Sequence, residues 1–201
     1  FLLINYGFAI RQNKYNSLGF KVFLNFSNDQ NCQFTKIIRI KKNKLSEDLL
    51  QYLRASLIFS YRHKHGNKTN DFLKALLVSS PANIDFEIHI VQYGINLVHD
   101  LLRNKYPTQL EYDLGLLEED GISWRKYLAV THRVAQKEVL LTQENLLKIL
   151  LAILKQAREH PSLKEAYLGA PVEGLEADEK AMLVNRIRLR KYLQELSQFS
   201  H

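Results

Sequence analysis

Few residues in this chain have the type and spacing that chemistry requires. His63 and His65 suggest a metal pair at first sight. Residues two apart on a helix do not share a face, however, and no cysteine or carboxylate cluster accompanies them. With Arg62 and Lys64 they read instead as a cationic helix end before Gly66, matched to the negative end of the dipole. His89 and His99 have no recurring partner type nearby and read as packed or solvent-facing. The chain has no Gly-x-Gly, no Asn-His pair, no nucleophile elbow, no phosphate loop and no metal-ligand spacing. What remains is the opening FLLINYGFAIRQNKYNS, where Tyr6 and Phe8 flank Gly7 behind an apolar run. Taken alone, Tyr-Gly-Phe after an apolar strand is ordinary core followed by a turn.

The elements that must position any site follow from periodicity. Between Leu18 and Lys42 the period is two: Phe20, Val22, Leu24 and Phe26 alternate along one segment, Ile38 and Ile40 along another. The polar link SNDQNCQ between them predicts a hairpin or two strands rimming one sheet. A two-stranded unit is marginal alone, so it must lean on something. A helix is expected from Ser46, whose hydroxyl can cap it, with Glu47 and Asp48 at the positive end of the dipole and Leu49, Tyr52, Leu53, Ser56, Phe59 and Ser60 along one face. A short helix near Asn70 to Val78 precedes a long one that starts at Pro81 and Asn83. That long helix has two adjacent apolar stripes, Phe86-Ile90-Tyr93-Leu97-Leu101 and Ile88-Val91-Ile95-Val98-Leu102, a breadth that predicts burial on most sides. Gly94 in its middle costs about 1 kcal/mol relative to alanine and predicts a close crossing there.

The chain is organised around the stretch from Pro107 to Leu140. Thr108 and Glu111 stand in the spacing of a capping box, and Leu110, Leu114 and Leu117 stripe the short helix that would follow. Gly121 ends it and Ser123 can cap the next. From Trp124 onward Leu128, Ala135, Val139, Leu146, Ile149, Leu150 and Ile153 fit one long helix, with Tyr127, Val134 and Leu141 widening its stripe. That helix should break at His160-Pro161, with a further capping box at Ser162 and Glu165. Residues 170–175 read as a linker to a terminal amphipathic helix, with Met182, Leu189, Leu193 and Leu196 facing inwards.

The paired helices resemble the C-terminal helical domain of SET-domain lysine methyltransferases of the Rubisco large-subunit methyltransferase type. The residues that carry the likeness are Thr108, Glu111, Asp113, Leu116, Leu117, Arg125, Ala129, Arg133, Val134, Lys137, Val139 and Leu140; Gln136 stands where that family usually has Glu. The opening is similar to the last motif of the family's SET fold, with Leu3, Tyr6, Gly7, Phe8 and Asn13 on the pattern. The resemblance implies a mainly α fold: a multi-helix substrate-binding domain with two long helices, preceded by a short β-containing remnant of a SET fold. It places the end of the SET domain at residues 1–42 and the helical domain at 43–201. It also implies that Tyr6 lines the pocket for the substrate amine and that Phe8 stacks on the adenine of S-adenosylmethionine. Both roles are chemically sound: a hydroxyl can orient an amine lone pair for in-line attack, and an aromatic face suits a planar base. The family's cofactor-binding Gly-x-Gly, Asn-His pair and catalytic tyrosine would all lie upstream of Tyr6, so no catalytic residue is expected within the chain.

Composition is consistent with this frame. A chain of 201 residues with 46% hydrophobic residues can bury one large domain, or one domain and part of another. Its one cysteine, Cys32, excludes an internal disulfide framework and fits a reducing compartment, cytoplasm or organelle. No window is apolar for long enough to span a membrane. The bare apolar opening predicts a fragment or a processed chain. A net charge of +7 invites nucleic acid through the basic patches, but those patches have no interleaved aromatic platform and read as solvated faces. Two functions follow. One is the protein-substrate recognition part of a SET-domain protein-lysine (or histidine) N-methyltransferase, inactive alone. The other is a non-catalytic protein-binding subunit of a larger assembly that retains the helical domain.

Overall fold

A computed structural model of the chain describes residues 17–25, 33–42, 44–64, 83–159, 172 and 176. Strands β1 (Ser17–Asn25) and β2 (Gln33–Lys41) are followed by helices α1 (Glu47–Lys64), α2 (Ile84–Lys105), α3 (Leu110–Glu118) and α4 (Trp124–Glu159). Among the described residues the fold is mainly α, with strands confined to the start, as the periodicities predict. Tyr6, Phe8, the helix expected near 70–78, the box at Ser162 and the terminal helix lie outside the described residues, as does the 170–175 linker apart from Val172.

The strands pair antiparallel, with Leu18 opposite Ile40 and Phe20 opposite Ile38. Strand alternation sends Leu18, Ile38 and Ile40 to one face, where all three are buried in the same core as the helices. The hairpin leans on α1 and α4, which supplies the support a two-stranded unit lacks. Ser46 caps α1 as expected: its hydroxyl accepts the Leu49 amide at 3.2 Å and donates to the Arg39 carbonyl at 3.1 Å. One side chain thus starts the helix and ties it to β2.

Helix α4, 36 residues long, is the spine against which the rest packs. Leu128, Ala135, Val139, Leu146, Ile149, Leu150 and Ile153 are all buried, as is Val134, while Tyr127 and Leu141 are half-buried. Ser123 begins the helix by accepting the Lys126 amide on its hydroxyl at 3.4 Å. Helix α2 crosses α4 at Gly94, where an added Cβ would sit 2.9 Å from Leu53 Cδ1 and 3.5 Å from Leu147 Cδ1. The glycine therefore admits leucines from α1 and α4 together. Asn83 caps α2 by accepting the Phe86 amide at 2.9 Å.

Two expectations need correction. Helix α2 is buried along one broad face rather than most of the way round: Ile90, Val91, Gly94, Ile95 and Val98 are inside, but Tyr93 is 46% exposed. Leu53 of α1 and Leu147 of α4 meet it together at Gly94, and Tyr93 is left at the margin of that face. That buried face also carries a carboxylate, Glu87, at 0% exposure. It is paired with Arg54 of α1 through Nε at 2.7 Å and Nη2 at 2.8 Å. The second correction is to the capping box. Gln109, not Thr108, occupies the N-cap of α3 and makes no side-chain cap bond, because Thr108 is engaged elsewhere.

Candidate functional site

The residues at the centre of the sequence motif meet in space. Arg133 and Lys137 lie one turn apart on α4 and so project on one face. Opposite them, Asp113 is the buried residue of α3, with Thr108 and Gln109 leading into that helix. The Lys137 ammonium, 2% exposed, donates to Asp113 Oδ2 at 2.6 Å, Thr108 Oγ1 at 2.8 Å and the Gln109 carbonyl at 3.2 Å, and also contacts the Thr108 carbonyl. Arg133 grips the same carboxylate with both prongs of its fork, Nη2 to Oδ1 at 2.6 Å and Nε to Oδ2 at 2.8 Å. Thr108 Oγ1 donates to Oδ1 at 3.0 Å. This engagement is why Thr108 does not cap the helix.

The electrostatics follow from this geometry. Burial alone pushes the Asp113 carboxyl up, but hydrogen bonds from Arg133, Lys137 and Thr108, with the Lys137 charge, outweigh it and bring the group down to about 2. The same hydrogen bond raises Arg133 above its ordinary value. A carboxylate accepts about four hydrogen bonds, and Asp113 receives four, so it has no acceptor site left for a substrate proton. The cluster is a structural clasp and not an acid–base site. Tyr106 extends it by donating its hydroxyl to Gln136 Oε1. A glutamate at that position would accept the same bond, which explains why Gln136 is tolerated.

Two turns further along α4, Gln143 makes a second polar fastening. Its Oε1 accepts the Ser46 amide at 3.0 Å, and its Nε2 donates to the carbonyls of Lys41 at 2.9 Å and Lys44 at 2.6 Å. Lys42 adds an ion pair to Glu138 at 2.6 Å. These bonds fix the end of the hairpin and the start of α1 on the spine. Sequence reading passed over Gln143, although a signal was present. It falls four residues after Val139 and three before Leu146, a polar side chain in the middle of an apolar stripe. Lys137, three residues after Val134 and four before Leu141, carries the same signal.

An open groove of about 670 Å³ lies between α2 and the second half of α4. Its walls include Ile95, Leu151, Ala152 and Val172, and its rim Gln92, Lys148, Lys155, Gln156 and Glu159. Lys148 is already held by Glu144 at 2.8 Å. None of these rim residues was singled out from sequence, since polar residues at helical spacing look like any solvated face. Among the described residues no group of three or more His, Cys, Asp or Glu side chains could hold a metal ion. Nor is any helix among them long and apolar enough to cross a membrane. The two residues expected to meet substrate and cofactor, Tyr6 and Phe8, fall outside the described residues.

A family model described as Rubisco LSMT substrate-binding matches residues 17–140, more than half of the chain. That span runs from the first residue of β1 through the clasp. No curated protein and no solved structure matches the chain.

Proposed function

The chain belongs to the Rubisco LSMT substrate-binding family, and on that premise we propose that it is the protein-recognition part of a SET-domain protein-lysine (or histidine) N-methyltransferase. The observation that carries this reading is the coincidence of the match with the fold. Residues 17–140 include the hairpin, the α3–α4 clasp and both partners of the Arg54–Glu87 pair. We accordingly count the hairpin with the helices as one unit, since Leu18, Ile38 and Ile40 share their core. A unit fastened this way offers a rigid surface for a protein substrate, and its opening residues would join it to the catalytic fold.

In this reading Tyr6 borders the amine pocket and Phe8 the cofactor, S-adenosylmethionine, which supplies the methyl group. The chain contributes little else to that chemistry. One aromatic stack contributes on the order of 1 kcal/mol beyond area burial, whereas micromolar affinity needs about 8 kcal/mol. Residues 1–201 alone should therefore neither bind the cofactor nor transfer a methyl group, while still binding a protein partner.

Calorimetry of the 201-residue chain against S-adenosylmethionine is the test, beside a longer polypeptide that carries it behind a SET core. No saturable heat is expected from the chain, and micromolar binding with methyl transfer from the longer polypeptide. In the latter, Tyr6→Ala should impair turnover with little change in unfolding midpoint. Saturable micromolar binding by the chain alone would overturn the assignment. A longer polypeptide without cofactor binding would leave a non-catalytic binding subunit in its place.

A further inference from the structure

The outward face of the β1–β2 hairpin carries charge that no described residue pairs. Alternation puts Leu18, Ile38 and Ile40 into the core, so Ser17, Gly19, Lys21, Ile37, Arg39 and Lys41 share the other face, and all six are exposed. The register sets Arg39 across from Gly19, Lys41 across from Ser17 and Lys21 across from Ile37. Three cations thus stand on a face where no described position is acidic, and none of them forms an ion pair with a described residue. Lys42, one residue beyond the strand, behaves differently and is held by Glu138. The residues opposite Arg39 and Lys41, Gly19 and Ser17, are small.

We propose that this face binds an extended acidic segment of a protein partner, lying along β2 with an apolar residue over Ile37 and carboxylates at alternate positions over Arg39 and Lys41. Alternate residues of a strand and of an extended peptide both repeat every ~7 Å, so the charges match in register. Ile37, 54% exposed and in line with the two cations, favours a peptide over nucleic acid, because an aliphatic side chain gives bases no stacking platform. Recognition is by side chains and not by strand addition at this edge of β2. The carbonyls of Arg39 and Lys41 are already taken by Ser46 Oγ at 3.1 Å and Gln143 Nε2 at 2.9 Å. That the partner is a methylation substrate rests on the function proposed above; the surface itself does not.

Fluorescence anisotropy with the full chain tests it, using a labelled Val-Ser-Glu-Ser-Glu-Ser peptide, an isomer with adjacent glutamates and a labelled oligothymidylate. The alternating peptide should bind best, and its affinity should fall with added salt. It should weaken about tenfold in Arg39→Ser/Lys41→Ser, weaken less in Ile37→Ser, and hold in Lys42→Ser. Should the double variant unfold more readily by circular dichroism, Arg39→Gln/Lys41→Gln repeats the measurement. Equal binding of both peptides, or none, overturns the proposal, and tighter oligothymidylate binding with the same sensitivity makes the face a nucleic-acid surface. Peptide binding by a polypeptide that never methylates protein would retain this surface and sink the substrate-recognition reading. Protein methylation by a longer polypeptide whose hairpin variants bind the peptide unchanged would do the reverse.

Discussion

Two helices are fastened to the same spine by opposite physics. Helix α2 meets α4 through Ile90, Val91, Ile95 and Val98, all buried, with Gly94 making room for Leu53 and Leu147. Helix α3 meets it through Asp113, its one buried residue, held by Arg133 and Lys137, while Leu114, Leu116 and Leu117 are only half-buried. The difference follows from length. A helix of 22 residues presents enough turns for an apolar stripe to hold it, and dispersion and burial add up without direction. One of nine residues is below the length at which an isolated helix is even marginal. It needs directional bonds that also set its position along α4. Such bonds depend on every partner, whereas an apolar contact degrades gradually.

The comparison is broken most severely by removing one member of the clasp. Lys137→Ala leaves Asp113 with Arg133 as its one cationic partner and should cost up to about 3–5 kcal/mol, the range for breaking a buried pair. Chemical denaturation that showed less than about 1 kcal/mol would mean that water or another group replaces the ammonium, and the clasp would not be what holds α3. Replacing both partners, Asp113→Leu with Lys137→Met, should recover much of that stability. If it does, the charges serve the placement of α3 more than its net stability.

On the apolar side, Leu146→Ala should cost about 2–5 kcal/mol through lost transfer energy and an unfilled cavity. Leu97→Ala should cost clearly less, because Leu97 only borders the cluster that Leu146 sits in. Equal losses from the two would show that α2 is turned differently about its axis.

Acid separates the two regions by sign. The folded Asp113 carboxyl, near 2, lies below its ordinary value of 3.8. Its contribution is therefore complete above the unfolded value and is lost as pH falls through the folded one, roughly 2 kcal/mol between about pH 5 and below pH 2. The leucine crossing has no such dependence. Unfolding midpoints measured down that range should fall more for the parent than for Asp113→Leu/Lys137→Met; parallel curves would contradict a charged clasp. The smallest effect is expected at Trp124, 63% exposed and stacked on Tyr127 with centroids 5.7 Å apart. Trp124→Ser should change stability by no more than about 0.5 kcal/mol, and a larger loss would place the aromatic stack in the structural core.

Much of the architecture was legible in the residues. The period of two at Leu18 and Ile38–Ile40, the cap at Ser46, the continuous stripe from Leu128 to Ile153 and the crossing at Gly94 all rest on local spacing, which a helix or strand converts directly into a face. The stripe could not say how much of its circumference neighbours would cover, so Tyr93 was placed inside when it lies at the margin. Nor could spacing show that Thr108, well placed to cap α3, bonds Lys137 and Asp113 instead. Both outcomes depend on residues distant in sequence. The buried Arg54–Glu87 pair joins positions 33 apart, and Gln143 reaches back 102 residues to Lys41. A hydrogen bond between such partners exists only once the chain has brought them together. The sequence alone therefore determined which segments are helix or strand and which faces are apolar. The tertiary structure alone decided which polar groups would share the interior, because a buried charge is defined by its partner and not by its place in the chain.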